Sequence, residues 1–195
     1  MKRKDLKARI EEMGTEDVFF VADFLDISSE KEISKMLSEL EVQGVIKRLA
    51  KGIYCKPVMT RFGPLFPDVR KIVEAVAQRD HAQVLPSGAT AANVLGLSEQ
   101  VPMKSTFITS GSSRVLTVEG HEISLRRAVP RNFAYRTRLA ALIVQALKNV
   151  GEENMGWEEK GALKSVIDRN EEKEAFRADV QMMPIWMKKL IIPML

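Results

Sequence analysis

The sequence predicts an α+β protein: an N-terminal winged helix-turn-helix, then a mixed α/β domain with a helical C-terminal tail. Within the first 60 residues, amphipathic helical patterns precede two short β-rich runs around a glycine-containing turn. A proline- and glycine-rich stretch follows, and beyond it short strand-like and helix-like patterns alternate. The last 44 residues show helical patterns alone. The predicted division is residues 1–59 for the winged helix and 60–195 for the second domain.

Asp5 to Met13 reads as a helix with Leu6, Ile10 and Met13 on one side, ended by Gly14-Thr15. Val18 to Leu25 reads as a second short helix, because Phe20 and Phe24 are four apart. After the turn Asp26–Ser29, the pair Ser29 and Glu32 fits a capping box. The helix it opens runs to about Gln43, buries Ile33, Met36, Leu37 and Leu40, and stops at Gly44. Val45–Leu49 and Ile53–Lys56 around Ala50-Lys51-Gly52 predict a hairpin, the wing, closed by Pro57. Thr60 to Pro67 reads as a connector.

In the second domain, Asp68–Arg79 predicts a helix with Val69, Ile72, Val73 and Val76 on one face. Gln83–Leu85 and Ser105–Thr109 predict strands, Thr90–Leu95 a short helix, and Val115–Val118 with Glu122–Leu125 a hairpin turning at Glu119-Gly120-His121. Arg136–Val150 predicts a strong helix with Leu139, Leu142, Ile143, Ala146 and Leu147 in its apolar stripe. The tail is helical, with breaks near Gly156 and Pro184.

Composition excludes several classes. Apolar residues make up 45% and charged residues 29% of the 195, which argues for a folded core. No apolar run reaches the length of a membrane span, and the basic start Met1–Asp5 leads into no signal-peptide core, so a cytoplasmic protein without membrane contact is expected. One cysteine, Cys55, rules out a disulfide framework and a multi-cysteine metal site, and two histidines, His81 and His121, leave little material for a zinc centre or a histidine-based triad, so no metal is expected. There is no phosphate-loop, dinucleotide-loop or nucleophile-elbow motif, so no catalytic residue and no cofactor are expected.

Charge is distributed unevenly. Residues 1–60 balance to zero, residues 61–151 carry an excess of +6, and the tail −2. Val45–Arg61 and Arg126–Arg138 are basic runs without an acid, a pattern that suits a polyanion. On the third predicted helix Lys31, Lys35 and Ser38 lie opposite the buried stripe, with Ser28 and Ser29 at its start. Lysine and serine there can meet base edges in a major groove, or form a solvated face. Lys47, Arg48, Lys51 and Lys56 place cations on the wing, where they can clamp a DNA backbone or blunt a strand edge. Arg126, Arg127, Arg131, Arg136 and Arg138 form a possible second basic surface. It could serve phosphates, an acidic partner, or internal pairing with Glu152, Glu153 and the acidic tail.

The run Val18-Phe19-Phe20, Asp23-Phe24 and Gly44-Val45-Ile46-Lys47-Arg48-Leu49-Ala50-Lys51-Gly52-Ile53-Tyr54 resembles the N-terminal winged helix of AbiEi-type antitoxins. Phe62-Gly63, the string Pro86-Ser87-Gly88-Ala89-Thr90-Ala91-Ala92-Asn93-Val94-Leu95-Gly96-Leu97-Ser98, Gln100-Val101-Pro102, Phe107–Gly111 and Leu125-Arg126-Arg127 extend the likeness over roughly residues 15–130. The resemblance implies an antitoxin of an abortive-infection toxin–antitoxin operon that represses its own promoter through double-stranded operator DNA. It implies a nucleotidyltransferase-like toxin, countered without a stable direct complex, and an antitoxicity role for the second domain. Carried onto this chain, Ser28, Ser29, Lys31 and Lys35 face the major groove, and Lys47, Arg48 and Lys51 form the wing contact. Glu30, Glu32, Glu39 and Glu41 depart from a strongly basic recognition helix. The alternative is a protein–protein module on a winged-helix scaffold, without operator-specific binding.

Overall fold

Helix α1 (Lys2–Glu12) buries Leu6 and Ile10 completely, while Met13, the third residue of its predicted face, lies past its end and is half-buried. The computed structural model describes residues 2–14, 17–118 and 120–195, so Thr15 of the predicted helix stop and Glu119 of the predicted hairpin turn lie outside the described residues. The chain is mixed α/β and divides into two compact units, Met1–Arg79 with Leu116–Gly120, and Asp80–Val115 with His121–Leu195.

In the first unit, Val18–Phe20 is a strand, β1, and only Val21–Phe24 is helical, as a single 3-10 turn. This corrects the helix predicted over Val18–Leu25. The valine and two phenylalanines suit a pleated strand, and β1 pairs antiparallel with β3 (Ile53–Cys55), Phe19 opposite Tyr54. Phe19 stacks on Tyr54 at 6.2 Å and meets Phe24 edge-on at 5.7 Å, so the ring that packs on Phe24 at this strand-to-turn corner is Phe19, five residues away, and not Phe20 at helical spacing. The Asp23 carboxylate accepts the Phe20 N–H at 2.8 Å and fixes that corner.

Helix α2 (Glu30–Val42) buries Ile33, Leu37 and Leu40 as predicted, with Met36 half-buried. Gly44, at φ +73, ends it: its N–H donates to the Glu41 carbonyl and that of Val45 to the Leu40 carbonyl. β2 (Lys47–Ala50) completes a sheet of order β1-β3-β2. A register shift between Arg48 and Ala50 gives Leu49 an extra place in the strand, and Leu49 is buried. Leu6, Ile10, Phe19, Phe24, Ile33, Leu37, Leu40, Ile46 and Tyr54 belong to one apolar cluster.

The predicted connector is a small antiparallel hairpin, β4 (Val58–Thr60) and β5 (Gly63–Leu65). The Thr60 hydroxyl closes its tip, accepting from the Phe62 N–H and donating to the Gly63 carbonyl. A two-stranded ribbon has no central strand, so Pro64 is tolerated there. Helix α3 (Val69–Arg79) buries Ile72, Val73, Val76 and Ala77 within the same unit.

A four-stranded sheet is built from β6 (Val84–Pro86), β7 (Lys104–Thr109), β8 (Arg114–Val118) and β9 (His121–Arg127), in the order β6-β7-β9-β8. β7 runs antiparallel to β6 and parallel to β9, with Phe107 opposite Leu125. Helix α4 (Gly88–Val94) lies between β6 and β7 in sequence and ends at Gly96, with the same two carbonyl closures seen at Gly44. Helix α5 (Arg138–Val150) is buried more widely than one stripe: Ala140, Ala141, Ile143, Val144, Gln145, Ala146 and Leu147 are all inaccessible. Helices α6 (Trp157–Asp168), α7 (Lys173–Val180) and α8 (Ile185–Ile191) supply Leu163, Phe176, Val180, Met187 and Ile191 to its cluster. The breaks fall at Gly156 and Pro184 as predicted, and a third separates α6 from α7.

Candidate nucleic-acid interface

Lys31, Lys35 and Ser38 are exposed on α2, and neither lysine has an ion pair among the described residues. The Ser38 hydroxyl donates to the Ser34 carbonyl. The predicted capping box does not form. Ser29 is the N-cap residue, but its side chain makes no capping bond. Glu32 is instead taken by Ser28, whose hydroxyl donates to the Glu32 carboxylate, and by Lys2, whose Nζ lies 3.2 Å from both partners. The Ser28 bond first, and Lys2 second, hold the Glu32 carboxyl below its ordinary range.

Two further acids of this helix, Glu39 and Glu41, are also engaged locally, whereas Glu30 is exposed with no ion pair among the described residues. Arg3 meets Glu39 at 3.2 Å, and Glu41 accepts the Arg48 backbone N–H at 3.3 Å. Cations of α1 thus offset acids of α2. These partners escape a reading by periodicity, which treats Lys2 and Arg3 only as a basic terminus.

The β2–β3 ribbon carries Lys47, Arg48 and Lys51 exposed around buried Ile46, Leu49, Ile53 and Tyr54. Gly52, at φ +74, turns its tip. Arg48 Nε donates to the Ala50 carbonyl at 3.2 Å, which holds the side chain along the strand. Lys56 belongs elsewhere: its Nζ donates to the carbonyls of Glu11 at 2.8 Å and Met13 at 3.2 Å, at the end of α1. Cys55 is fully buried, and burial pushes its thiol up to about 12 against a smaller opposing pull from Lys47. That protonated thiol is no nucleophile at neutral pH.

Arg126, Arg127, Arg131, Arg136 and Arg138 are all exposed in the second unit. Among the described residues, Arg126, Arg127, Arg131 and Arg136 form no ion pair, with Glu152 and Glu153 or any other acid. The segment is pinned along its length. Arg127 N–H donates to Ser113 Oγ, and Ala128 N–H to the Thr109 carbonyl. Asn132 Oδ1 accepts from Gln145 and Lys148, both at 3.1 Å. At the far end the buried Asp179 carboxylate accepts from the Arg136 N–H at 2.9 Å, the Thr137 N–H at 2.7 Å and Thr137 Oγ1 at 2.8 Å. Thr137 in turn accepts from the Ala140 N–H and caps α5, which is why the helix starts at Arg138 and not Arg136.

Two adjoining cavities lie along this segment. One, of about 510 Å³, is lined by Gln83, Ser110, Arg127 and Phe133 among others. The second, of about 270 Å³, shares Gln83 and Phe133 and adds Tyr135 and Arg136. The alternation Arg131, Phe133, Tyr135, Arg136 stands in the sequence, but the cleft also needs Gln83, about 50 residues away.

Elsewhere, His121 Nε2 lies 2.8 Å from Ser105 Oγ, with no acid bonded to the ring among the described residues. His81 is exposed and adopts a left-handed backbone, φ +48. Among the described residues, no group of three histidine, cysteine or acidic side chains could hold a metal ion, and no helix is long and apolar enough to cross a membrane.

Fold and surface together define a two-unit mixed α/β protein that presents cations on a β-ribbon and a pinned arginine segment. The chain belongs to a family of unknown function, DUF6088, whose model matches residues 5–175. No curated protein matches it.

Proposed function

We propose that this chain is a DNA-binding autorepressor and antitoxin of a toxin–antitoxin operon, acting without catalysis in the cytoplasm against a nucleotidyltransferase-like toxin. In this reading the first unit is a winged helix-turn-helix: α2 enters the major groove with Ser28, Ser29, Lys31 and Lys35, and the β2–β3 wing grips the backbone with Lys47, Arg48 and Lys51. The observation that carries it is the contrast between the two charge signs. The wing cations are exposed and unpaired among the described residues, whereas Glu32, Glu39 and Glu41 are each occupied by a partner within the unit. That arrangement lowers the cost of bringing a helix with four glutamates to a phosphate backbone.

The test is fluorescence anisotropy with the duplex just upstream of the gene, against a scrambled duplex, at several salt concentrations. Tight binding to the upstream duplex alone is expected. The Lys47→Glu/Lys51→Glu variant should weaken it by roughly two orders of magnitude near physiological salt. Equal, weak binding to both duplexes would sink the operator and leave a protein-docking module on the same scaffold. A nucleotidyltransferase-like reading frame beside the gene, and loss of protection from its product on deleting this one, would tie the repressor to antitoxin action.

A further inference from the structure

We infer that the cleft between the arginine segment 126–138 and the edge strand β6 binds single-stranded nucleic acid, with Phe133 and Tyr135 as stacking faces for bases. The surface is independent of the wing and lies wholly in the second unit.

Three features of the cleft point there. First, cations are gathered without neutralisation: Arg127 and Arg136 line the two cavities, Arg131 stands between them in the segment, and all three are exposed and form no ion pair among the described residues. Arg131 also acts on Lys148, whose ammonium is pushed below its ordinary range by burial and then by that arginine. Like charges held together in this way gain when a polyanion arrives. Second, the two cavities share Phe133, a half-buried aromatic residue that lines both. An aromatic face in a basic groove is the device by which proteins hold unstacked bases irrespective of sequence. Third, the segment is rigid where it matters, tied to the sheet at Arg127 and Ala128, to α5 through Asn132, and to Asp179 at Arg136 and Thr137. A preorganised groove avoids the ordering cost of a flexible basic arm.

Two other partners fit less well. A duplex keeps its bases stacked, so it would reach the arginines and leave the aromatic cleft unfilled. A peptide of acidic residues alone would do the same. Gln83 and Ser110 at the larger cavity offer donors and acceptors to a base edge.

The experiment uses the full chain and fluorescein-labelled oligothymidine and oligouridine strands of about 12 nucleotides, within the range one binding module covers. A random-sequence duplex of the same length is the control. Arg127→Ala/Arg136→Ala is expected to lower single-strand affinity about tenfold or more. Phe133→Leu, which keeps an apolar side chain, should lower it roughly fivefold. Thermal unfolding checks both folds. Lys47→Glu/Lys51→Glu should reduce duplex binding and leave single-strand binding intact, so this surface and the operator reading fail separately. Single-strand binding that vanishes with the wing variant overturns the proposal. So does an arginine-dependent loss without any effect of Phe133→Leu, which would leave a non-stacking polyanion face.

Discussion

Asp179 shows how much one side chain can organise. It is fully buried, and its carboxylate accepts three hydrogen bonds from Arg136 and Thr137, 42 to 43 residues earlier. Replacing it by alanine orphans two backbone donors and a hydroxyl in a dry environment. We expect Asp179→Ala to cost about 3 kcal/mol in urea unfolding, and Asp179→Asn less, since the amide oxygen can still accept. Cys55 makes a different prediction. Its folded thiol sits near 12 and its unfolded one near 9.0, so the native state holds its proton while the unfolded state loses it. Stability from this group is therefore complete below about pH 9 and falls as pH rises from there. Alkylation by iodoacetamide at pH 8 should be negligible in the native protein and should appear with unfolding. Neither residue's role is legible in the sequence. Asp179 reads there as one more acid of an acidic tail, and Cys55 as one residue of a wing strand.

Among the elements, those held by local pattern are the ones the sequence discloses. The buried faces of α2 and α3 follow from residues three and four apart, and Gly44 and Gly52 take the left-handed backbone their turns require. β1 does not disclose itself, because its strand state depends on Tyr54 and its neighbours, more than 30 residues later. A three-residue strand has too short a period to stand against a pair of phenylalanines at helical spacing. The β4–β5 hairpin hides for a related reason: proline and glycine mark a turn without saying whether its arms pair. The junction of α1 with β3 is equally non-local. Lys56→Met removes two bonds to the Glu11 and Met13 carbonyls and should cost roughly 1 kcal/mol, read as a lower thermal midpoint. Amide exchange should quicken in the last turn of α1 and leave α3 unaffected.

For the whole molecule, the informative quantity is where charge is left uncompensated. The net value of +4 hides an even balance in residues 1–60 and an excess in 61–151. If the first unit binds duplex as proposed, its three wing cations should give a slope of about −3 in log affinity against log salt. The Lys47→Glu/Lys51→Glu variant should flatten that slope by about 2. The cleft was only half visible beforehand. Its arginines stand together in sequence, but Gln83 and Asp179 are brought to them by the fold. The distance between Thr137 and Asp179 also matters during synthesis. At the usual pace of translation, roughly 2–8 s separate the appearance of Thr137, the cap of α5, from that of the carboxylate that holds it. Met187 and Ile191, which join its cluster, come later still. For that interval a nascent chain carries α5 packed on the earlier α4 alone, without the later side chains that complete its cluster. Completion of this cluster in the cell thus waits for α6, α7 and α8 to be made, and a chain stalled before them is a product suited to chaperones and proteases.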